Sequence, residues 1–132
     1  MIRALLLILL IAASLAIAAG GIAWNESRRE AVLKAQELTG GNIENGRRAL
    51  QAFGCVACHT IPGIRLARGK VGPKLEGLSE RVYIAGVLPN TPENLISWIQ
   101  HPRRIDPKTA MPETGIGPAD ARDAAAYLYS LD

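Results

Sequence analysis

Aromatic side chains are scarce in this 132-residue chain, which has two tryptophans, three tyrosines and one phenylalanine. Two cysteines are too few for a disulfide scaffold, and two histidines leave no second ligand pair for a zinc site. There is no internal repeat, no low-complexity tract and no basic tail of the kind that holds nucleic acid. The length admits one domain or two, which leaves no room for a multidomain enzyme.

What is present is unevenly spread. The apolar fraction is 48%, yet 20 of the first 24 residues are apolar and only Arg3, Ser14, Gly20 and Gly21 are not. The other 108 residues hold 44 apolar ones, all eight prolines and 11 of the 13 glycines. A small domain so short of core usually needs a metal, a disulfide or a cofactor to hold it together.

Residues 4–23 are broken only by Ser14 and the Gly20-Gly21 pair. As a helix they span roughly 30 Å, the thickness of a bilayer core, and Trp24 follows where an interfacial aromatic sits. Ala16-Ile17-Ala18 resembles a signal cleavage site, but a signal core is only about 7–15 residues long. Residues 1–24 are therefore expected to be an uncleaved transmembrane signal anchor. Met1 and Arg3 flank one end, while Arg28, Arg29 and Lys34 mix with Glu26 and Glu30 at the other, so charge does not orient it.

Residues 25–41 read as a linker. A helix is expected over 27–38, where Glu30 and Lys34 form an i,i+4 pair, and Thr39-Gly40-Gly41 ends it. Asn42 is a good N-cap for the next helix, so the second domain is expected over 42–132.

Cys55-Val56-Ala57-Cys58-His59 is the C-x-x-C-H signature of covalent haem attachment. Two thiols three positions apart match the two vinyl groups of one porphyrin, and the adjacent imidazole reaches the iron from the same side. This one motif consumes both cysteines and one of the two histidines. Three side chains are candidates for the sixth ligand, namely Met111, His101 and Lys108. Met111 is favoured, because a thioether is a soft ligand for ferrous iron and Lys108-Thr109-Ala110-Met111-Pro112 reads as a rigid polar loop rather than core.

Helical periodicity agrees with a small all-α domain. Gly46, Leu50 and Phe53 share one face, and Ala124, Tyr127, Leu128 and Leu131 share another. Gly46 lacks a side chain, which would let the last helix cross it closely near Tyr127. Thr91 and Pro92 begin a middle helix running to Gln100. No segment shows the sustained alternation of a strand.

Further stretches carry a resemblance. These are Glu44 to Arg48 leading into Cys55, then Gly72-Pro73-Lys74-Leu75-Glu76-Gly77-Leu78, then Asn94 to Met111, and finally Asp123 to Leu128. Over residues 43–132 the chain resembles the small monohaem (class I) cytochromes c of the mitochondrial type. The shorter stretch Leu88 to Leu95 is similar to the cytochrome c domain fused to subunit II of some haem–copper oxidases, and to membrane-anchored bacterial cytochromes c. Relative to the mitochondrial proteins, the tryptophan that bonds the inner propionate is absent, Ile105 replaces an aromatic and Lys108 replaces a glycine.

The resemblance implies a cytochrome c fold of three to four short helices and loops around one haem c, preceded by one transmembrane helix. It implies thioether links at Cys55 and Cys58, with His59 and Met111 as axial ligands. It also implies that the Pro73 carbonyl accepts from His59, that Arg81 and Thr109 partner the propionates, and that Trp98 lines the haem. The implied role is electron transfer rather than catalysis, with no small-molecule substrate and no nucleic acid. The expected path runs from a quinol–cytochrome c reductase to a terminal haem–copper oxidase. The alternative is a fixed haem subunit of a respiratory, dehydrogenase or photosynthetic complex. Haem is attached to such domains outside the cytoplasm, so the domain is expected on the periplasmic face of a bacterial inner membrane. The formal net charge of +3 includes Arg3, and two propionates would neutralise the rest. That leaves a basic face, Arg65, Arg68, Lys70, Lys74, Arg103 and Arg104, as the expected docking surface.

Overall fold

No proline occurs before Pro62, and residues Ile2–Thr39 form one uninterrupted helix, α1. The computed structural model describes residues 2–131; Met1, counted above with the anchor, and Asp132 lie outside the described residues. The chain divides into two units between Glu30 and Ala31.

The first unit is the apolar stretch of α1. Its most apolar 18-residue window has a mean hydropathy of 2.7, and none of that window is buried in the protein. A helix of this length and composition is a candidate membrane span. The Ser14 hydroxyl donates to the Leu10 carbonyl at 2.8 Å, so the one polar residue in the run is satisfied within the helix. The Arg28 guanidinium lies 5.2 Å from the centre of the Trp24 ring.

The second unit begins at Ala31, ahead of the boundary expected at residue 42. Ala35 and Thr39 are buried, so the last turns of α1 are part of this unit. The Thr39 hydroxyl donates to the Ala35 carbonyl at 2.7 Å and accepts from the Gly41 N–H at 3.2 Å. Gly40 ends the helix at a φ of +65°, the left-handed turn that glycine enters without steric cost.

Two helices close the domain on itself. In α2 (Ile43–Ala52) the Asn42 side chain caps the N-terminus by accepting from the Asn45 N–H at 2.9 Å. In α6 (Pro118–Tyr129) Ala121, Ala124, Ala125 and Ala126 are fully buried. The crossing at Gly46 is as tight as its missing side chain suggests, since a Cβ there would overlap the Asp123 carbonyl. The Asp123 carboxylate accepts from the Asn42 N–H at 2.7 Å, and the Tyr127 hydroxyl donates to the Pro62 carbonyl at 2.8 Å.

Between these lie α3 (Cys55–Cys58), a 3-10 turn at Leu78–Glu80, α4 (Pro92–Gln100) and α5 (Pro102–Ile105). Thr91 caps α4 by accepting from the Asn94 N–H at 3.2 Å, and α4 packs Leu95, Trp98 and Ile99 inward. A short antiparallel hairpin, β1 (Tyr83–Ile84) and β2 (Leu88–Pro89), pairs Ile84 with Leu88. Its turn puts Ala85 at a φ of +51° and Gly86 at +75°. Two residues per strand are too few to show an alternating pattern, which is why periodicity did not predict the hairpin.

Candidate functional site

Phe53 caps α2, and Gly54 at a φ of +76° turns the chain at once into α3. This single turn puts Cys55 and Cys58 three residues apart on one face. Burial pushes the Cys55 thiol up from its ordinary pKa. A hydrogen bond to its own backbone works against that shift, and Cys58 adds to it. The His59 N–H donates to the Cys55 carbonyl at 3.0 Å, and the chain then becomes extended, so the imidazole stands clear of the helix.

The His59 Nδ1 lies 2.7 Å from the Pro73 carbonyl. A carbonyl can only accept, so Nδ1 is the donor, and the neutral ring in this tautomer would offer the Nε2 lone pair to a metal. Two glycines allow this approach. A Cβ at Gly72 would overlap the His59 ring, and one at Gly69 would overlap the Cys58 carbonyl carbon. The Gly72 N–H donates to the Cys58 carbonyl at 2.9 Å, and the Leu75 N–H donates to that of Thr60 at 2.9 Å. These bonds fasten the Gly72–Leu75 strip beside the motif.

A cavity of about 390 Å³ opens beside α3. Leu50, Leu78, Ile84, Leu95, Trp98 and Leu128 give it apolar walls drawn from α2, the 3-10 turn, β1, α4 and α6. Its size falls in the roughly 300–1,000 Å³ range of small-molecule and cofactor sites. All eight residues predicted for the site line it: Cys55, Cys58, His59, Pro73, Arg81, Trp98, Thr109 and Met111. Neither of the other ligand candidates, His101 or Lys108, is among the described lining residues. Two thiols and an imidazole beside an apolar, cofactor-sized space, with a thioether in its lining, fit the groups that would hold haem c.

The polar residues around the cavity are braced. Arg81 donates through one terminal nitrogen to the carbonyls of Lys74 at 2.6 Å and Glu76 at 3.0 Å, and its other N–H groups make no hydrogen bond among the described residues. The Thr109 hydroxyl oxygen accepts from the Met111 N–H at 3.2 Å, and its own proton remains available to donate. Trp98 is 7% exposed.

Sequence reasoning missed Asn90. Its amide donates to the carbonyls of Leu78 at 2.7 Å and Arg81 at 2.8 Å, and its oxygen accepts from the Tyr129 hydroxyl at 2.7 Å. Asn90 thus ties the Arg81 segment to α6. Burial, with Glu93 adding to the effect, pushes the Tyr129 hydroxyl up to about 12. A lone asparagine in a loop carries no local signal of such a role. The basic residues proposed for docking, Arg65, Arg68, Lys70, Lys74, Arg103 and Arg104, are all exposed. Lys74 lies 3.8 Å from Glu76.

A family model described as cytochrome c matches residues 43–132. The chain is 33% identical over 110 residues to cytochrome c oxidase subunit 2 of Alkalihalophilus pseudofirmus, covering 83% of this chain and 30% of that protein. It is 33% identical over 81 residues to cytochrome c oxidase subunit 2 of Bacillus sp. (strain PS3), covering 58% of this chain and 23% of that protein. It is 36% identical over 93 residues to cytochrome c2 of Rhodopila globiformis, covering 58% of this chain and 82% of that protein. The chain thus spans less than a third of the length of these oxidase subunits. No solved structure matches it.

Proposed function

Since the chain belongs to the cytochrome c family, an electron-transfer family whose haem c it binds covalently through Cys55 and Cys58, we propose that it is a membrane-tethered one-electron carrier. In this reading it takes electrons from a quinol–cytochrome c reductase and passes them to a terminal haem–copper oxidase. The observation that carries the reading is a single one. The C-x-x-C-H thiols, the adjacent imidazole and the lone methionine of the second unit line one apolar cavity, in a chain that also has a candidate membrane span.

A bound haem c supplies reversible one-electron exchange at its iron. The protein's residues set the conditions for that exchange. His59 would hold the iron through Nε2, and its bond to the Pro73 carbonyl fixes the ring and would raise the donor strength of that nitrogen. Met111 would supply the second ligand, a thioether that favours the reduced state and would raise the potential. Together His59 and Met111 would hold the iron with two side chains, which would leave it to electron exchange rather than to oxygen or peroxide chemistry. The apolar walls exclude water and lower the local dielectric. Arg81 and Thr109 offer donors to the carboxylates of the cofactor, and Trp98 packs beside it.

Haem is attached to such domains outside the cytoplasm. The second unit therefore faces the periplasm of a bacterial inner membrane, and the N-terminus of α1 faces the cytoplasm. The exposed arginines and lysines meet an acidic patch on the redox partner and speed encounter.

A second reading has a specific observation behind it, the likeness to one oxidase subunit over 83% of the chain. In that reading the chain is a fixed haem subunit of one complex. Extraction of native membranes in mild detergent separates the two. A carrier leaves the oxidase during purification, whereas a subunit stays in constant stoichiometry. A chain that copurifies one-to-one with any membrane complex overturns the mobile carrier.

A further inference from the structure

The loop carrying Met111 is fastened unequally on its two sides. On the incoming side the Lys108 N–H donates to the Asp106 carboxylate at 3.0 Å, and the Thr109 N–H to the Asp106 carbonyl at 3.0 Å. The Met111 N–H then donates to the Thr109 hydroxyl oxygen at 3.2 Å. On the outgoing side Pro112 has no N–H to offer. Among the described residues, no backbone-to-backbone hydrogen bond holds residues 112–116. The buried side chain of Ile116 is the next apolar anchor.

One polar tie crosses this gap. The Glu113 carboxylate accepts from the Arg103 N–H at 3.2 Å through Oε1. Its Oε2 lies 3.7 Å from the His101 Nδ1. The receiving side is firm, because the His101 N–H donates to the Ser97 carbonyl at 2.8 Å and Pro102 is fully buried. The Arg103 N–H belongs to the first turn of α5, where the helix itself supplies no acceptor. Pro112, with its fixed φ, is all that separates Met111 from Glu113, so little slack lies between the tie and the thioether.

We infer that Glu113 is a positioning residue, a clasp that fastens the outgoing limb of the Met111 loop to the corner between α4 and α5 and so holds the thioether at the cavity. The inference rests on Met111 being the sixth ligand. The clasp works through the hydrogen bond to Arg103 rather than through charge. Glu113 and His101 are each 44% exposed, and attraction between exposed charges contributes little. Loss of the bond lets the limb swing away more often, and a small ligand then competes better for the iron.

The test is imidazole binding to the full-length ferric holoprotein in detergent at neutral pH, followed by visible absorption. Glu113→Ala should raise the apparent imidazole affinity about threefold to tenfold, the span set by one hydrogen bond. Glu113→Gln keeps an oxygen for the Arg103 N–H and should stay within about twofold of the parent protein. An unchanged affinity in Glu113→Ala overturns the clasp. An equal rise in both variants also overturns it, because charge would then be the restraint. The parent protein is first checked for its far-red methionine-to-iron band. If that band is missing, the Met111 reading fails and the clasp fails with it; if it is present, a negative imidazole result counts against the clasp alone.

Discussion

Gly72→Ala places one methyl group where the His59 ring lies. The added Cβ would sit 2.6 Å from Nδ1 and 2.8 Å from Nε2. Gly72 is not at a positive φ, so alanine is tolerated by the backbone, and the three atoms nearest the added Cβ all belong to the His59 ring. Neither side yields easily. The ring is held by the Pro73 carbonyl at 2.7 Å, and the Gly72–Leu75 strip by the bond from the Gly72 N–H to the Cys58 carbonyl at 2.9 Å. Overpacking of this kind costs about 1–3 kcal/mol. At about 4–8 °C per kcal/mol for a domain near this size, Tm should fall by roughly 5–20 °C.

The same displacement lengthens the Nδ1–H bond to Pro73. That bond makes the imidazole a better donor, which favours ferric iron, so weakening it raises the potential. A differential loss of about 0.5–1 kcal/mol corresponds to roughly 20–45 mV for one electron, at about 59 mV per tenfold change. Thermal unfolding followed by circular dichroism gives the first quantity, and a spectroelectrochemical titration gives the second. A variant with both Tm and potential unchanged would refute the reasoning. A lowered Tm with an unshifted potential would leave Gly72 a packing residue with no influence on the iron.

Three further outcomes follow from the geometry. Gly46→Leu drives a side chain into the Asp123 carbonyl at the α2–α6 crossing and should cost well over ~3 kcal/mol; haem-containing protein recovered at normal yield would contradict that crossing. The folded state holds the Tyr129 proton up to a pH of about 12, whereas the unfolded chain releases it near pH ~10. Stability from this group is therefore complete below the unfolded value and lost as pH rises between the two. Denaturant midpoints across that window should fall less steeply in Tyr129→Phe than in the parent protein, and equal slopes would count against it. Electron exchange with the partner should slow as salt is added, because exposed cations guide the encounter; a rate indifferent to ionic strength would remove the basic docking face.

Much of this site is legible in local sequence because its chemistry is local. Cys55, Cys58 and His59 announce themselves by spacing, and Thr91-Pro92 and Asn42 announce their helix starts. Gly46 could be read as a crossing point because a missing side chain on an apolar helix face has few other uses. The rest depends on contacts between distant residues. Asn90 meets Leu78, Arg81 and Tyr129 only after the chain folds. Glu113 reaches His101 and Arg103 across the Met111 loop. The hairpin at Tyr83–Pro89 is too short to leave a periodic trace. The charged segment after Trp24 reads as a solvated linker, because its charges hide the two side chains, Ala35 and Thr39, that the second unit buries.

The far-red absorption of the oxidised protein at neutral pH tests the central claim most directly, because a methionine thioether bound to ferric haem gives a weak charge-transfer band there. The band should be present in the parent chain and lost in Met111→Ala, with haem still covalently attached in both. A parent protein without the band, or a Met111→Ala variant that keeps it, would contradict the His59–Met111 site.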